Sequence, residues 1–365
     1  MHSSLQTSLL RFRRVHDRFD SLINKEKQRG GGAAAAALFL VDRKEKRRAF
    51  LMAKQKKAKK GGSLLRRNTT PMLVMFLTPA LLLYLIVFLY PTIRTIIMSF
   101  CKVEGVTDPV STWQFSGITN YVKSFNNNMF QTAMITLGKL WLVGGIAVMT
   151  LALVFAVALT NGMRGKSFFR SVIYLPNLVS AVAMGTMWLY YALSKESYGL
   201  LNTILGWFGG SNVMWTDPQH KFWSMLIAYC FGMVGYHMLI FMSGIERISA
   251  DYYEAASIEG ANVFKKFWYI TLPLLRGSIR TNLVMWTVTS VGFFIWGQVF
   301  DPVNLSEQTV MPLNYMYELV FGASNAVQAA RDSGVGAAIG VMMAIIVVAV
   351  FSLTTLIIKN DDAEV

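Results

Sequence analysis

Six long apolar segments limit the possible folds of this chain more than any other feature of its sequence. Each is close to the roughly 20 mostly apolar residues that a helix needs to cross the hydrocarbon core of a bilayer. Backbone groups in lipid must be satisfied internally, so we expect helices, and the alternating pattern of a membrane barrel is absent. The chain is therefore predicted to be an all-α membrane protein with six transmembrane helices. The segments are Met72–Tyr90, Leu140–Leu159, Val172–Leu193, Phe222–Gly244, Ile279–Val299 and Val335–Ile358.

The positive charge of the chain is concentrated before the first apolar segment. Residues 1–70 hold 19 Lys or Arg and 5 Asp or Glu, a net charge of +14 out of +15 for all 365 residues. We therefore divide the chain into a basic N-terminal arm, residues 1–70, and a transmembrane domain, residues 71–365. The arm could lie on anionic lipid, contact a partner subunit or bind nucleic acid. We favour lipid and expect no nucleic acid, because no recognition motif accompanies the charges.

Lys and Arg in the short loops predict the orientation of the spans, because cytoplasmic loops carry the excess of these residues. The loops 160–171 and 245–278 are basic, whereas the alternate loops 100–131, 194–221 and 300–334 are poorer in basic residues. Both termini, and with them the arm, are therefore predicted to be cytoplasmic in a multi-pass plasma-membrane protein.

The second basic loop contains a partly amphipathic segment that is unusual between two spans. Asp251 is predicted to cap a helix, with Glu254 as its capping-box partner three residues on. Gly260 allows a bend or a close approach by another surface, and Pro273 should force Leu272 out of helical geometry. The result is a short helical hairpin that could enter a groove of a partner. One apolar stripe is predicted along it, formed by Tyr253, Ala256, Gly260, Val263, Phe264, Phe267 and Ile270.

The stretch EAASIEGANVFKKFWYITLP resembles the EAA loop of bacterial ABC importer permeases. That pattern is Glu-Ala-Ala, three residues, Gly, nine residues and Ile-x-Leu-Pro, and only Glu259 departs from it, standing where aspartate is usual. The resemblance implies that this loop, about residues 249–275, docks into a cleft of a cytoplasmic ATPase. The residues expected to contact that ATPase are Glu254, Ala255, Ala256, Glu259, Gly260 and Ala261.

The flanking sequence resembles the same family over roughly residues 71–358. PALLLYLIVFLYPTIRTIIMSF is similar to the first span of the sugar-permease branch, and FFRSVIYLPNLVSAVAMGTMWLYY with GLLN is similar to the third span and its exit. The chain is thus identified as resembling a maltose-type carbohydrate importer permease, which implies the type I ABC importer permease fold.

The same resemblance implies the partners and the source of energy. Two ATPase subunits would bind ATP and Mg, and this chain would bind no cofactor or metal of its own. A second related permease would complete the pore as a heterodimer, and an extracytoplasmic binding protein would deliver the carbohydrate.

Candidate substrate contacts lie on the fourth and fifth predicted spans. Aromatic faces can stack on sugar rings and hydroxyls can hydrogen-bond to them, although the same aromatics could simply pack between helices. An ionisable residue within a span has a stronger claim to function, so His237 is included. The candidates are Tyr229, Tyr236, His237, Trp286, Thr289, Ser290, Phe293 and Trp296.

Other functions stay open on the sequence alone. A permease for glycerol phosphate, a peptide or an amino acid is one alternative; a phosphate substrate would favour Arg or Lys well inside the fourth to sixth spans, and none is found there. A membrane-anchored regulator that uses the basic arm is another. An intramembrane enzyme would need a convergent set such as Ser290 with His237, and nothing else in the sequence supports it.

Overall fold

The structure is a computed structural model that describes residues 70–160, 162–194, 199–302, 305–322 and 331–358. The predicted basic arm and the C-terminal end therefore lie outside the described residues, apart from Thr70. The chain divides into two compact units, Met1–Leu89 and Tyr90–Val365. In the first unit the described residues form helix α1, Thr70–Tyr84, and a π-helical turn, Leu85–Leu89.

The second unit is helical almost throughout, as the sequence predicts, with one small antiparallel sheet of strands β1 (Cys101–Lys102) and β2 (Gln114–Phe115). Three π-helical turns lie at Leu140–Gly144, Trp188–Ala192 and Phe267–Thr271, and a 3₁₀ turn at Val110–Thr112. The α-helices are α2 (Tyr90–Ser99), α3 (Thr119–Phe125), α4 (Asn128–Lys139), α5 (Gly145–Thr160), α6 (Lys166–Leu178), α7 (Ala181–Met187), α8 (Leu200–Trp207), α9 (Lys221–Ile245), α10 (Ala250–Ile258), α11 (Val263–Lys266), α12 (Leu272–Leu274), α13 (Arg276–Val291), α14 (Phe294–Phe300), α15 (Pro312–Phe321) and α16 (Ser333–Ile357).

Helices occupy all six predicted apolar segments, but they do not all have the same form. Four stretches are long and apolar enough to cross a membrane as single helices, and two further segments are bent helix pairs that qualify only when each pair is taken together. The described chain therefore has four to six candidate spans. The four single stretches are Met72–Ser99, Asn128–Thr160, Lys221–Ile245 and Ser333–Ile357.

The second span begins 12 residues before its predicted start at Leu140. Asn127 caps it, because its side-chain oxygen accepts hydrogen bonds from the backbone N–H groups of Met129 and Phe130 at 2.9 and 3.2 Å. Polar residues such as Gln131, Thr132 and Lys139 interrupt the added stretch, which hid it from a search for apolar runs. An Asn N-cap of this kind is a recognisable start signal for a helix.

The third predicted span is broken rather than continuous. Helix α6 and the segment Ala181–Ala192 meet at an angle of 97°. Asn177 donates from its amide to the Gly232 carbonyl of α9 at 3.3 Å, and Ser180 caps the N-terminus of α7. Side chains thus supply hydrogen bonds where the helical ladder stops, as a break inside a membrane requires.

The fifth predicted span, Ile279–Val299, is also two helices, α13 and α14, which meet at 44°. The break lies at Gly292 and Phe293, and the Asn314 amide on α15 donates to the Phe294 carbonyl beside it at 3.0 Å. Gly297 leaves room for Asn314, because a Cβ at this glycine would collide with that side chain.

The long helix α9 is the central element of the second unit. Its buried residues Met238 and Met242 pack with Ala152 and Ala156 of α5, whose small side chains allow the two helices to approach closely. At Gly235 the approach is closer still, since a Cβ there would meet the backbone of Ile173 in α6. Helix α9 therefore contacts α5 and α6 along one face and leaves another for α13.

Helix α15 was not expected from the apolar pattern. It follows the fifth span and packs against the start of α16, where a Cβ on Gly336 would meet Val320 and one on Gly340 would meet the Met316 sulfur. These two glycines, four residues apart, therefore allow α15 and α16 to approach closely.

A buried ion pair joins the start of α9 to the end of α14, and we expect its disruption to be costly. Lys221 pairs with Asp301, which also accepts a hydrogen bond from Thr309. The exposed fractions of the two charged side chains are 17% and 9%. Lys221→Met leaves a buried carboxylate without its cation, so the free energy of unfolding in detergent should fall by about 3 kcal/mol.

The matched control is Lys123→Met, which removes an exposed ion pair. Lys123 lies 3.3 Å from Asp332, and its side chain is 50% exposed. Exposed pairs contribute about 1 kcal/mol or less, so this variant should change unfolding little. Equal losses in the two variants would contradict the assignment of Asp301 as a carboxylate that depends on Lys221.

Candidate coupling loop and substrate pathway

The first helix of the predicted docking loop is capped differently from the expectation. Helix α10 starts at Ala250, and its N-cap is Ser249, whose hydroxyl accepts a hydrogen bond from the Asp251 N–H at 3.4 Å. Asp251 lies in the first turn, where its negative charge still suits the helix dipole. The predicted capping box of Asp251 with Glu254 is therefore wrong. Ser249, two residues earlier, was the available signal.

Helix α10 ends in a hydrogen-bonded turn centred on Gly260. The Ala261 N–H donates to the Ala256 carbonyl at 2.8 Å, and the Gly260 N–H donates to the Ser257 carbonyl at 3.1 Å. Gly260 has a φ of +73°. These features define a Schellman motif with glycine in the left-handed position. The predicted bend at Gly260 is confirmed, and its cause is this backbone geometry.

The chain does not turn at Pro273 as the sequence suggested. Leu272 keeps helical angles, φ −63° and ψ −43°, and the deviation comes at Leu275, with ψ near 3°. The π-helical turn Phe267–Thr271 precedes the proline, and Pro273 occupies the first turn of α12, where a missing N–H costs little. The re-entry into the membrane is thus a nearly continuous helical path.

Two side-chain contacts hold the halves of the loop together. The Tyr253 hydroxyl lies 3.0 Å from the Thr271 hydroxyl, and the Lys266 ammonium donates to the Ser257 hydroxyl at 2.7 Å. Asn262 caps α11 by accepting from the Lys265 N–H at 2.9 Å. The loop therefore forms a helix–turn–helix unit closed by its own hydrogen bonds.

The apolar side chains of the loop do not form the single stripe that was predicted. The turn at Gly260 divides them: Tyr253, Ala256, Phe267 and Ile270 are half-buried, whereas Val263 and Phe264 are exposed. Ile258 is 87% exposed and Phe264 is 76% exposed. All six predicted ATPase contacts lie on the same short segment, and four of them, Glu254, Ala255, Glu259 and Gly260, are exposed, with Ala256 and Ala261 half-buried.

A buried polar pair connects the two helices on either side of the loop. His237 of α9 and Asn282 of α13 are both fully buried, and the His237 Nδ1 atom lies 2.7 Å from the Asn282 Oδ1 atom. An amide oxygen only accepts, so His237 donates from Nδ1. Sequence reasoning selected His237 but missed Asn282, because a single asparagine near a span end carries no distinctive signal.

Six of the eight substrate-pathway candidates are buried within the second unit. Tyr229 lies at the centre of an aromatic cluster, with ring centroids 5.5 Å from Trp286, 4.6 Å from Phe293 and 5.6 Å from Trp296. The His237 ring lies 5.8 Å from Trp286 and thus extends the cluster towards the loop. Tyr236 and Thr289 are half-buried. The structure thus brings these residues together on neighbouring helices.

Polar atoms accompany the aromatic rings. The Tyr229 hydroxyl faces those of Thr289 and Ser290 without an ordinary hydrogen bond to either. Trp286 is held firmly, because its indole N–H donates to the Trp141 carbonyl at 2.8 Å and its ring lies against Gly144 and Gly145. The cluster combines a fixed aromatic wall with hydroxyl groups that can take a further partner.

Residues 148–360 match the protein family described as the binding-protein-dependent transport system inner membrane component. The chain belongs to this family.

Curated relatives agree with the match over most of the length of the chain. The permease is 30% identical over 284 residues to the arabinooligosaccharides transport system permease protein AraP of Bacillus subtilis, covering 77% of this chain and 86% of that protein. It is 28% identical over 292 residues to the AraP protein of Halalkalibacterium halodurans, covering 77% of this chain and 85% of that protein.

A solved structure shows the fold that the permease shares. The permease aligns with a chain of the bacterial alginate ABC transporter, crystallised with an alginate pentasaccharide-bound periplasmic protein, at a TM-score of 0.65 and 19% identity. The alignment covers 79% of this chain and 94% of that chain. The two chains therefore share the helical architecture described above.

The His237–Asn282 pair can be tested with a double-mutant cycle on unfolding in detergent. We expect His237→Ala and Asn282→Ala to be non-additive, with a coupling free energy of about 1 kcal/mol, because each single change leaves the other buried group without its partner. Asn314→Ala in place of Asn282→Ala is the control, since Asn314 bonds to Phe294. Additive effects of His237→Ala and Asn282→Ala would show that the pair does not connect the helices energetically.

Proposed function

We propose that this chain is a permease subunit of an ATP-driven importer that carries a sugar or oligosaccharide across the plasma membrane. One observation carries the proposal: α9 and α13 flank the docking loop, and the same two helices, with α14 directly after α13, carry the aromatic–hydroxyl cluster. Tyr229 lies 16 residues before the end of α9, or about 24 Å along the helix axis. A displacement of the loop would therefore be transmitted along α9 to the cluster.

The carbohydrate substrate is supported by the relatives. Two of them are named as permeases for arabinooligosaccharides, and the structural neighbour was crystallised with a protein that holds an alginate pentasaccharide. The Tyr229, Trp286, Phe293 and Trp296 rings would stack on sugar faces, with Thr289, Ser290, Tyr236 and His237 near the pathway. Aromatic walls with a few hydroxyl groups suit a substrate rich in hydroxyls and poor in charge.

Membership of the family implies the other subunits of the transporter. Two ATPase subunits would bind ATP and Mg and hold the loop at Glu254, Ala255, Ala256, Glu259, Gly260 and Ala261. A second related permease would complete the pore, and an extracytoplasmic binding protein would deliver the sugar. Counting each bent pair as one span would give six spans, and the basic loops favour both termini in the cytoplasm. The basic arm would lie on anionic lipid.

Coupling can be tested at Gly260 in the assembled complex reconstituted into liposomes. A Cβ at Gly260 would meet nothing within 4 Å in this chain, so only its φ of +73° demands glycine here. Gly260→Val should strain the turn by about 1–2 kcal/mol and lower substrate uptake per ATP hydrolysed. Gly260→Asn, which tolerates this conformation, should keep the turn; if it also fails, a close approach by the ATPase is the reason.

The control for Gly260 is Gly117→Val. Gly117 has a φ of +58° and equally open surroundings, but it lies between β2 and α3, outside the docking loop. This variant carries the same backbone strain and should leave the ratio of uptake to ATP hydrolysis unchanged. Unaltered coupling in Gly260→Val would remove the role assigned to the turn.

The sugar pathway can be tested by removing one hydroxyl group. Tyr229→Phe keeps the aromatic cluster intact, and we expect up to about a tenfold loss of uptake at limiting substrate, as one hydrogen bond to a sugar would provide. Tyr315→Phe on α15 is the control, because Tyr315 lies outside the cluster. Normal uptake by Tyr229→Phe would exclude a hydrogen bond from this hydroxyl to the substrate.

A further inference from the structure

The short helix α8 has one side fixed to the protein by a single asparagine. The Asn202 amide donates to the carbonyls of Ser194 and Val213, both at 3.1 Å, and its oxygen accepts from the Val213 N–H at 3.0 Å and the Trp215 indole at 2.9 Å. Asn202 is almost fully buried. Its amide uses both of its donor hydrogens and both lone pairs, so the rotation of the helix about its axis is set.

The opposite side of α8 is apolar and exposed. Leu200, Ile204, Trp207 and Phe208 recur at helical spacing, and Trp207 and Phe208 are 77% and 85% exposed. Residues 199–216 contain no charged side chain. The half-buried Leu201 and Leu205 lie on the side that Asn202 holds against the protein, and the free side is a continuous apolar strip that ends in two aromatic rings.

The hydrogen bonds also set the level of α8 relative to the spans. Ser194 comes two residues after the π-helical turn that ends the broken third segment, and the Trp215 carbonyl accepts from the Ser224 hydroxyl in the first turn of α9. The helix is thus tied to the ends of two membrane segments, on the side opposite the docking loop that follows α9. Tyr190 and Tyr191, at the end of the first of these segments, are exposed at the same level.

We propose that α8 is an interfacial helix that lies on the phospholipid bilayer with its apolar strip towards the acyl chains. Tyr and Trp side chains prefer the boundary between hydrocarbon and headgroups, and an uncharged strip beside exposed tyrosines at that level continues the lipid-facing surface of the span. The helix would hold the ends of two segments at one membrane surface while the docking loop moves at the other.

The proposal is tested by placing a fluorophore on the strip in the full complex, reconstituted in phosphatidylcholine vesicles without binding protein. Cys101 and Cys230 are first replaced by Ala, and Trp207→Cys is labelled with bimane. Ser211→Cys, on the polar turn that follows α8, is the control, and Phe208→Cys is a second strip position. Both strip side chains are exposed, so these changes remove little packing.

Quenching is then measured with doxyl-labelled phosphatidylcholine and with aqueous iodide. Labels at Trp207 and Phe208 should be quenched by the doxyl lipid about twofold more strongly than the label at Ser211, and by iodide about twofold less. Equal iodide quenching at Trp207 and Ser211 would overturn the proposal in favour of a strip in water. Protection from both quenchers would overturn it in favour of a protein partner on this face.

Discussion

The structure depends on satisfying backbone hydrogen bonds where helices stop inside a membrane. Two apolar segments are broken, and polar side chains lie at both breaks. At the first, the Ser180 hydroxyl accepts from the Ala183 N–H and Asn177 donates to the Gly232 carbonyl of α9; at the second, Asn314 donates to the Phe294 carbonyl. Unsatisfied backbone groups cost several kcal/mol in hydrocarbon, so such partners stabilise the breaks. The close helix approaches at Gly235 and Gly297 bring those partners within reach.

The central helices α9 and α13 connect two distant regions, the docking loop and the aromatic cluster around Tyr229. Helix α9 and helix α13 are joined by the docking loop, held together by His237 and Asn282, and lined by the aromatic rings around Tyr229. A rigid pair of helices transmits a displacement because its packed interior resists deformation. The loop between them is long, but its own hydrogen bonds close it into a defined unit.

Much of this organisation is readable from the sequence, and the omissions have physical causes. The apolar runs locate the spans, and the Glu-Ala-Ala and Gly spacing locates the docking loop and its bend. The breaks near Leu178 and Gly292 fall within segments that are apolar on average, so hydropathy does not report them, although Pro176, Asn177 and Ser180 mark the first break in the sequence. Ser249 and Asn127, which start two helices, are N-cap signals that the sequence offers, whereas Asn282 pairs with His237 through a contact that only the structure reveals.

The Gly260 turn determines the shape of the surface that a docking protein would contact. Its two backbone hydrogen bonds and the Asn262 cap are made within the chain, so the loop has its final shape before any partner arrives. Binding then costs little conformational entropy, so the affinity depends on surface complementarity. In the proposed importer, an ATPase that binds and releases this loop in every cycle would meet a surface that does not have to fold each time.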